Sequence, residues 1–343
     1  MGGPDIERVT DFFLAPAARG WDAPSRGTSA REFHRTLAGY ERTPLIELPR
    51  LAAELGVARV LLKDESARLG LPAFKVLGAS WACHRILEER PGVRLVTATD
   101  GNHGRAVARV AAHFGVPATV FVPDVMLPQT AALIEDEGAE VIRLDVGYDD
   151  AVRAAAAYAA ESSSRALVQD TAWEGYTDVP AWIVDGYRTL LEEVDEQLGT
   201  APDVIAVPVG VGSLLEAVVR HHRRPGAPHP SILSVEPATA ACVLRSMQAD
   251  RPVTVPTSGT VMAGLNCGTV SATAWPVLRS GLDAAVAVSD LEAEQAVADL
   301  GDLGVSSGPS GAATLAGVRR VARHLDLSAD AVVVMLSTEG NDR

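Results

Sequence analysis

The sequence is poor in cysteine, in positive charge and in long apolar runs. Its three cysteines, Cys83, Cys242 and Cys267, give neither a disulfide framework nor metal-ligand spacing, so we expect a reducing compartment and no bound metal. Whether Cys242 and Cys267 meet in the fold stays open. The net charge of −14 argues against nucleic acid and anionic membranes as partners. No apolar segment could span a bilayer, and the amino terminus lacks a signal-peptide core, so the prediction is a cytoplasmic protein.

Short apolar runs alternate with helical patterns along most of the chain. Nine apolar runs are interpreted as buried strands, at residues 60–62, 95–98, 118–122, 141–144, 166–168, 204–209, 232–235, 285–288 and 332–336. Helical patterns cover residues 31–37, 49–55, 74–87, 105–114, 129–137, 149–162, 182–197, 214–222, 240–248, 291–303 and 312–324. Short buried strands separated by helices are typical of parallel sheets covered on both faces. The sequence therefore predicts an α/β fold.

The chain is long enough for about two domains at roughly 150 residues per domain. No linker-like stretch separates them, so the two sheets are predicted to be interleaved along the chain. The predicted large domain combines residues 1–80 with residues 169–343, and the predicted small domain covers residues 81–168.

The stretch from Lys63 to Ser80 combines a strand end, a loop and a helix start. The loop contains Gly70 and Pro72, and Lys75 falls in the first turn of the helix that follows. The amino end of a helix disfavours a cation, and partial burial does the same, so both favour the neutral, nucleophilic amine of a lysine. A solvated lysine at a helix start is the plain alternative, and the neighbouring loops decide between the two interpretations.

Unusual loops also follow three other predicted strands, at residues 99–104, 210–214 and 337–341. Ligands of open parallel sheets bind beyond the carboxyl ends of the strands. The three loops and the Lys75 loop are therefore predicted to form one site.

The loop at 210–214 suits a phosphate group. Gly210 and Gly212 let backbone N–H groups turn inward, and the helix that follows adds its dipole. A dinucleotide fingerprint would need a third glycine where Leu215 stands, and no Walker loop occurs. A nucleophilic lysine, a phosphate loop and the lack of a metal cluster together indicate pyridoxal phosphate, whose aldehyde would form a Schiff base with Lys75.

The pyridine nitrogen of this cofactor needs a partner. Ser337 or Thr338, at the end of a predicted buried strand, would supply a neutral hydroxyl. A hydroxyl does not hold that nitrogen protonated as a carboxylate would, which favours elimination over reactions that need a full electron sink.

Six motifs resemble those of the diaminopropionate ammonia-lyases, a family of fold-type II, tryptophan synthase β-like pyridoxal phosphate enzymes. The motifs lie at residues 63–78, 97–105, 169–176, 210–214, 262–268 and 337–340, and the resemblance extends from about residue 31 to the end. It implies two interleaved parallel-sheet α/β domains, a pyridoxal phosphate cofactor, and a homodimer that acts on a small amino-acid substrate.

The resemblance also implies a role for each residue that binds the cofactor. Lys75 corresponds to the Schiff-base lysine, Asn102 to the asparagine that hydrogen-bonds the ring hydroxyl, and Thr338 to the partner of the ring nitrogen. Phe74 corresponds to the residue that packs near the ring. The phosphate loop consists of Gly210, Val211, Gly212, Ser213 and Leu214.

Asp100 and Asp170 resemble the two acids that handle substrate protons, which in the family allow both enantiomers to be used. Related hydroxyamino-acid dehydratases resemble this loop but carry a serine at the position of Asp100. A carboxylate there would attract a second, cationic amino group and could exchange protons at the α-carbon or the leaving nitrogen. A helix N-cap for Asp100 and a turn position for Asp170 are the structural alternatives. His103 is interpreted as a loop-stabilising or carboxylate-positioning residue, and the role of Glu339 stays open between a solvated acid and a ring-orienting one.

The predicted reaction is the α,β-elimination of 2,3-diaminopropionate to pyruvate and two ammonia. Pro72 stands where the family usually has asparagine, and the chain is shorter than typical members between Lys75 and Asp100. The sequence therefore identifies the cofactor more firmly than the substrate. A dehydratase or β-replacement enzyme acting on another amino acid, such as one of specialised metabolism, is the first alternative. A non-catalytic ligand-binding protein is the second, and the retained Lys75 and phosphate loop argue against it.

Overall fold

Two β-sheets organise the described chain, which comprises residues 11–15, 18, 20–24, 30–99, 101–325 and 327–341 of the computed structural model. The seven-stranded sheet has the order β1-β10-β9-β8-β11-β3-β2, and the four-stranded sheet has the order β6-β5-β4-β7. The strands are β1 (Phe12–Leu14), β2 (Leu45–Glu47), β3 (Arg59–Asp64), β4 (Arg94–Ala98), β5 (Ala118–Pro123), β6 (Glu140–Leu144), β7 (Arg165–Leu167), β8 (Val204–Pro208), β9 (Ser231–Pro237), β10 (Ala284–Val288) and β11 (Val332–Ser337).

Helices separate most of the strands and cover the sheets. They are α1 (Arg31–His34), α2 (Pro49–Leu55), α3 (Lys75–Glu89), α4 (Asn102–Phe114), α5 (Pro128–Asp136), α6 (Tyr148–Ala160), α7 (Asp178–Leu198), α8 (Ser213–His222), α9 (Cys242–Ala249), α10 (Ala274–Gly281), α11 (Asp290–Gly301) and α12 (Pro309–Val321), with short 3-10 helices at Ala263–Leu265 and Ala322–His324. Among the described residues, no helix is both long and apolar enough to cross a membrane.

The nine predicted strands are all present, because each apolar run enters a parallel ladder. The predicted helices are present too, with bounds that differ by a few residues. The predicted strands omit β1 and β2, although Pro44 predicts an extended conformation at residues 43–46. These two strands pair antiparallel at the two edges of the large sheet. Their residues are partly or fully exposed, so they carry no buried apolar run. The predicted helices also omit α10, which begins without a side-chain cap at Thr273.

The two sheets draw on different parts of the chain. Every strand of the four-stranded sheet lies between residues 94 and 167. The strands of the seven-stranded sheet lie before residue 65 and after residue 203, so the chain leaves this sheet and returns to it. The sheets are thus interleaved along the sequence, while the domain boundaries at residues 80 and 168 stay a prediction.

Helix α3 packs against α4 and α7 and belongs to a core cluster that includes residues of both sheets. Its contact with α7 is close, since a Cβ atom on Gly186 would come within 2.5 Å of the carbonyl oxygen of Leu77. His34 adds a buried hydrogen bond from its Nε2 to the same carbonyl group at 2.9 Å. Because α3 begins at Lys75, this packing holds that residue in a fixed position.

Four charged side chains are buried behind the loop that leads to Lys75. Lys63 and Arg68 both donate to Oε2 of Glu193, at 2.7 Å and 2.8 Å. Arg68 also contacts Glu65 at 2.6 Å, and none of the four side chains is more than 1% exposed. Burial by itself would raise the pKa of Glu193, but the positive charges of Arg68 and Lys63 outweigh it and lower that pKa to about 2. The cluster therefore ties α7 to β3 and to the following loop.

Replacing Glu193 with glutamine should lower the free energy of unfolding by about 3–5 kcal/mol, because two buried cations lose their shared carboxylate. Glu196→Gln is the matched control. It changes a glutamate of the same helix whose side chain is 46% exposed, and its loss should be far smaller. Denaturant unfolding of both variants measures the difference. Equal midpoints for the two variants would contradict this account of the buried cluster.

Candidate active site

The four loops predicted to form one site meet at a cavity of about 770 Å³. They follow β3, β4, β8 and β11, whose carboxyl ends lie near one another. Each of the four loops contributes at least one residue to the cavity wall, namely Phe74, Asn102, Gly210 and Thr338. The strand order of the large sheet brings together the loops after β3, β8 and β11, and the loop after β4 reaches the same cavity from the four-stranded sheet. Asp100 lies outside the described residues.

Lys75 lies in the first turn of α3, as predicted, where it is the first residue, and its side chain lines the cavity. Its Nζ donates to Oδ2 of Asp170 at 2.6 Å and lies 5.5 Å from the centre of the Phe74 ring. The chain contains only one other lysine, Lys63, which is held in the buried cluster behind the loop. Lys75 is therefore the only lysine side chain that reaches the cavity. The scarcity of lysine is a signal that the sequence analysis did not use.

Asp170 follows β7 and is almost fully buried, with a side chain only 7% exposed. Burial by itself would raise the pKa of this carboxyl, but the nearby Lys75 and His103 outweigh that effect and lower the pKa to about 2. The carboxylate is consequently ionised at neutral pH. The sequence predicts Asp170 at the site but not its direct contact with Lys75. The negative charge of Asp170 favours the cationic form of the amine, whereas the helix dipole favours the neutral form.

His103 stabilises the loop after β4 by a hydrogen bond to the segment that follows β7. Its Nε2 lies 2.8 Å from the carbonyl oxygen of Val168, so this nitrogen donates and Nδ1 carries the lone pair. Burial lowers the pKa of His103, with a further lowering from the charge of Lys75, and the ring is neutral at pH 7. This contact matches the interpretation of His103 as a loop-stabilising residue.

The loop at 210–214 forms a cradle at the start of α8. Gly212 has a φ of +98°, a left-handed conformation that favours glycine. A Cβ atom on Gly210 would lie 3.0 Å from Sγ of Cys267, so the close packing there also favours glycine. The first N–H groups of α8 lack acceptors within the helix and favour an anion. The hydroxyl of Ser213 donates to the carbonyl oxygen of Asp170 at 2.6 Å, which joins the cradle to the acid.

The two hydroxyl side chains after β11 face different surroundings. Ser337 is fully buried, and its Oγ lies 2.7 Å from Oγ of Ser307. Thr338 lines the cavity, and its carbonyl oxygen accepts a hydrogen bond from the N–H of Phe74. The residue pattern left both hydroxyls open as partners of a pyridine nitrogen and the resemblance favoured Thr338; of the two, Thr338 is the one that lines the cavity.

Two further segments line the cavity without having been assigned a role from the sequence. Residues 123–133 supply an apolar rim in which Val125, Leu127 and Leu133 are exposed. Residues 259–267 supply the opposite wall, including Asn266 and Cys267. The second segment overlaps the motif at 262–268, so the resemblance pointed to it without assigning a role to any single residue in it. Cys242 and Cys267 are not joined by a disulfide bond in the structure.

The chain is similar to known proteins over most of its length. The family described as "Pyridoxal-phosphate dependent enzyme" matches residues 36–339. Diaminopropionate ammonia-lyase of Escherichia coli (strain K12) is 36% identical over 92% of this chain and 89% of its own length. This chain belongs to the pyridoxal phosphate-dependent enzyme family.

Solved structures of diaminopropionate ammonia-lyase are similar to this chain over nearly its whole length. The crystal structure of Escherichia coli diaminopropionate ammonia-lyase in complex with an aminoacrylate-PLP azomethine reaction intermediate has a TM-score of 0.86 and 34% identity, and it covers 96% of this chain and 94% of its own. The complex of the same enzyme with D-serine has a TM-score of 0.87 and 33% identity, with the same coverage. The prediction of a fold-type II α/β architecture is confirmed.

The cavity fits the pyridoxal phosphate of this family. Three buried polar atoms in its wall have no hydrogen-bond partner in the described structure, namely Nδ1 of His103, Oδ1 of Asn266 and Oγ of Ser310. Unpartnered buried polar atoms are costly unless a ligand or water contacts them. The cavity also contains both the amine of Lys75 and a glycine cradle at a helix start. The amine can react with an aldehyde and the cradle can bind a phosphate, and pyridoxal phosphate carries both groups.

Proposed function

We propose that this chain catalyses the pyridoxal phosphate-dependent α,β-elimination of 2,3-diaminopropionate. One water is consumed, and the products are pyruvate and two ammonia. The observation that carries the proposal is the Lys75–Asp170 pair, because an amine and a carboxylate 2.6 Å apart face the cavity that fits the cofactor. The identity to diaminopropionate ammonia-lyase of Escherichia coli supports this choice of substrate.

The cofactor is held by residues from all four loops. Lys75 supplies the amine for its aldehyde, and the cradle at 210–214 holds its phosphate through backbone N–H groups. Thr338 would pair with the ring nitrogen, Asn102 with the ring hydroxyl, and Phe74 would pack near the ring, since all three line the cavity. When bound, pyridoxal phosphate withdraws electrons from the α-carbon of an attached amino acid.

Asp170 and Asp100 handle the protons of the substrate. The carboxylate of Asp170 attracts the cationic β-amino group of diaminopropionate, which must leave as a protonated amine. It also lies within hydrogen-bond distance of Nζ of Lys75, so a proton can pass directly between the two groups. Each acid serves one enantiomer of the substrate, because the α-protons of the D and L forms lie on opposite faces of the α-carbon.

The apolar rim favours a second candidate substrate class. Val125 and Leu127 are 86% and 67% exposed at the cavity mouth, where a small, charged substrate such as diaminopropionate gains nothing from apolar contact. A dehydratase or β-replacement enzyme acting on an amino acid with a larger apolar β-substituent would use this surface. Turnover of such an amino acid, with none of diaminopropionate, would favour this second candidate.

The test is an absorbance spectrum of the purified protein with pyridoxal phosphate, followed by addition of D- and then L-2,3-diaminopropionate. We expect a visible band from cofactor bound at Lys75, and two ammonia for each pyruvate formed. A visible band without pyruvate would overturn the choice of substrate and keep the cofactor. We further propose a cytoplasmic homodimer, which light scattering of the purified protein tests for its oligomeric state.

A further inference from the structure

Glu339 is buried beside Thr338, and its carboxylate is held on two sides. Oε1 accepts a hydrogen bond from the backbone N–H of Ser310, in the first turn of α12, at 3.3 Å. Oε2 accepts a hydrogen bond from Nδ2 of Asn102 at 3.1 Å. A Cβ atom on Gly308 would come within 3.0 Å of this side chain, so the glycine leaves room for the carboxylate. Glu339 is therefore a fixed part of the wall rather than a solvated strand-end acid.

The contact between Glu339 and Asn102 joins the two sheets across the cavity. Asn102 opens α4 after β4 of the four-stranded sheet, whereas Glu339 follows β11 of the seven-stranded sheet. The backbone around Glu339 also pairs with the loop before Lys75, through a bridge to Ala73 and a hydrogen bond from Gly340 N–H to the carbonyl oxygen of Pro72. A displacement of Glu339 would therefore change the positions of both Asn102 and the Lys75 loop.

A carboxylate offers only acceptors, whereas the amide of asparagine has a donor edge and an acceptor edge. The NH2 group of Asn102 must therefore face Glu339, and the orientation of the amide is determined by that contact. We propose that Glu339 is a positioning residue that holds the Asn102 amide with its NH2 group available to the ring hydroxyl of the cofactor. This inference rests on the proposed function, in which Asn102 is the partner of that hydroxyl.

The consequence concerns the proton of the ring hydroxyl. One N–H of the Asn102 NH2 group bonds Glu339, and the second N–H is left to donate to the ring oxygen. A donor at that oxygen stabilises its deprotonated form, which absorbs in the visible range when the cofactor is bound to Lys75. An acceptor there would instead keep the proton on the oxygen and shift the absorption to the near ultraviolet.

Glu339→Gln reverses this arrangement with little change in size. The glutamine keeps its carbonyl oxygen on the N–H of Ser310, so its own NH2 group faces Asn102. Two NH2 groups cannot pair, and the Asn102 amide rotates to present Oδ1. We expect a lower ratio of visible to near-ultraviolet absorbance and about ten-fold weaker binding of pyridoxal phosphate, the size of one hydrogen bond to a charged group.

The experiment compares wild type, Glu339→Gln, Asn102→Ala and the double variant by absorbance and by titration of the cofactor-free proteins with pyridoxal phosphate. If Glu339 acts through Asn102, both single variants show the shift and the double variant is no worse than Asn102→Ala. An unchanged spectrum and affinity in Glu339→Gln would overturn the inference, and so would losses that add in the double variant. An Asn102→Ala protein with the wild-type spectrum would do the same, even if Glu339→Gln did not fold.

Glu292→Gln is the matched control, since Glu292 also caps a helix through its carboxylate but lies in α11, away from the cavity. It should leave the spectrum and the affinity unchanged. A wild-type protein that binds no pyridoxal phosphate would overturn the proposed function, and the inference with it. A wild type that binds while Glu339→Gln behaves identically overturns the inference alone.

Discussion

Lys75→Ala should remove the visible absorbance band of the cofactor and lower turnover of 2,3-diaminopropionate by at least about four orders of magnitude. The reason is that the chain has no other lysine side chain able to replace it. Lys63, the second of the two lysines, is fully buried and bonded to Glu193. Borohydride reduction of the wild type followed by peptide mass spectrometry should therefore find the cofactor attached at one position.

The control for this experiment is Lys75→Arg, which keeps the positive charge beside Asp170 but offers no amine to an aldehyde. It should fold like wild type and lose the visible band as completely as the alanine variant. A cofactor attached to Lys63, or a visible band that persists in Lys75→Ala, would refute the assignment of Lys75.

Asp170→Asn should lower turnover of one enantiomer of diaminopropionate by about 10²–10⁴-fold, the range expected for loss of a general acid–base group. The pKa of Asp170 of about 2 means that the wild-type carboxylate is ionised at all pH values where the enzyme would be assayed, so the loss should be independent of pH above about 4. Turnover of the D and L forms, measured separately between pH 5 and 9 by pyruvate release, provides the test.

Asp100→Asn should affect the opposite enantiomer, since the two acids are proposed to serve opposite faces of the α-carbon. Asp178→Asn is the matched control, because Asp178 is an exposed acid at the start of α7 near Asp170 in the sequence. Equal losses for both enantiomers in Asp170→Asn would argue that Asp170 positions Lys75 instead of moving the α-proton.

Most of the secondary structure and the location of the site could be predicted from the sequence. The interior strands are apolar because parallel strands are buried on both faces, so a local pattern reveals them. The edge strands β1 and β2 lack that burial and escape the same reasoning. The loops after β3, β4, β8 and β11 stand out through glycine and polar residues, and the rule that ligands bind at the carboxyl ends of parallel strands joins them into one site.

The contacts inside the site could not be predicted in the same way. Lys75 meets Asp170 across 95 residues, and Asn102 meets Glu339 across 237 residues. No local periodicity encodes such pairs, because they depend on the order of strands within a sheet and on how one sheet faces the other. The different surroundings of Ser337 and Thr338 also needed the structure, since neighbouring residues at a strand end face opposite sides.

The sequence by itself determined the α/β class, the helix that begins at Lys75, and the glycine cradle at 210–214. Each of these depends on residues that are neighbours along the chain, where periodicity and backbone freedom act directly. Only the tertiary structure decided that Asp170 is the partner of Lys75, that Thr338 rather than Ser337 faces the cavity, and that Glu339 is held against Asn102. Those contacts form between segments brought together by strand pairing and by the packing of α3 against α4 and α7, which no single segment specifies.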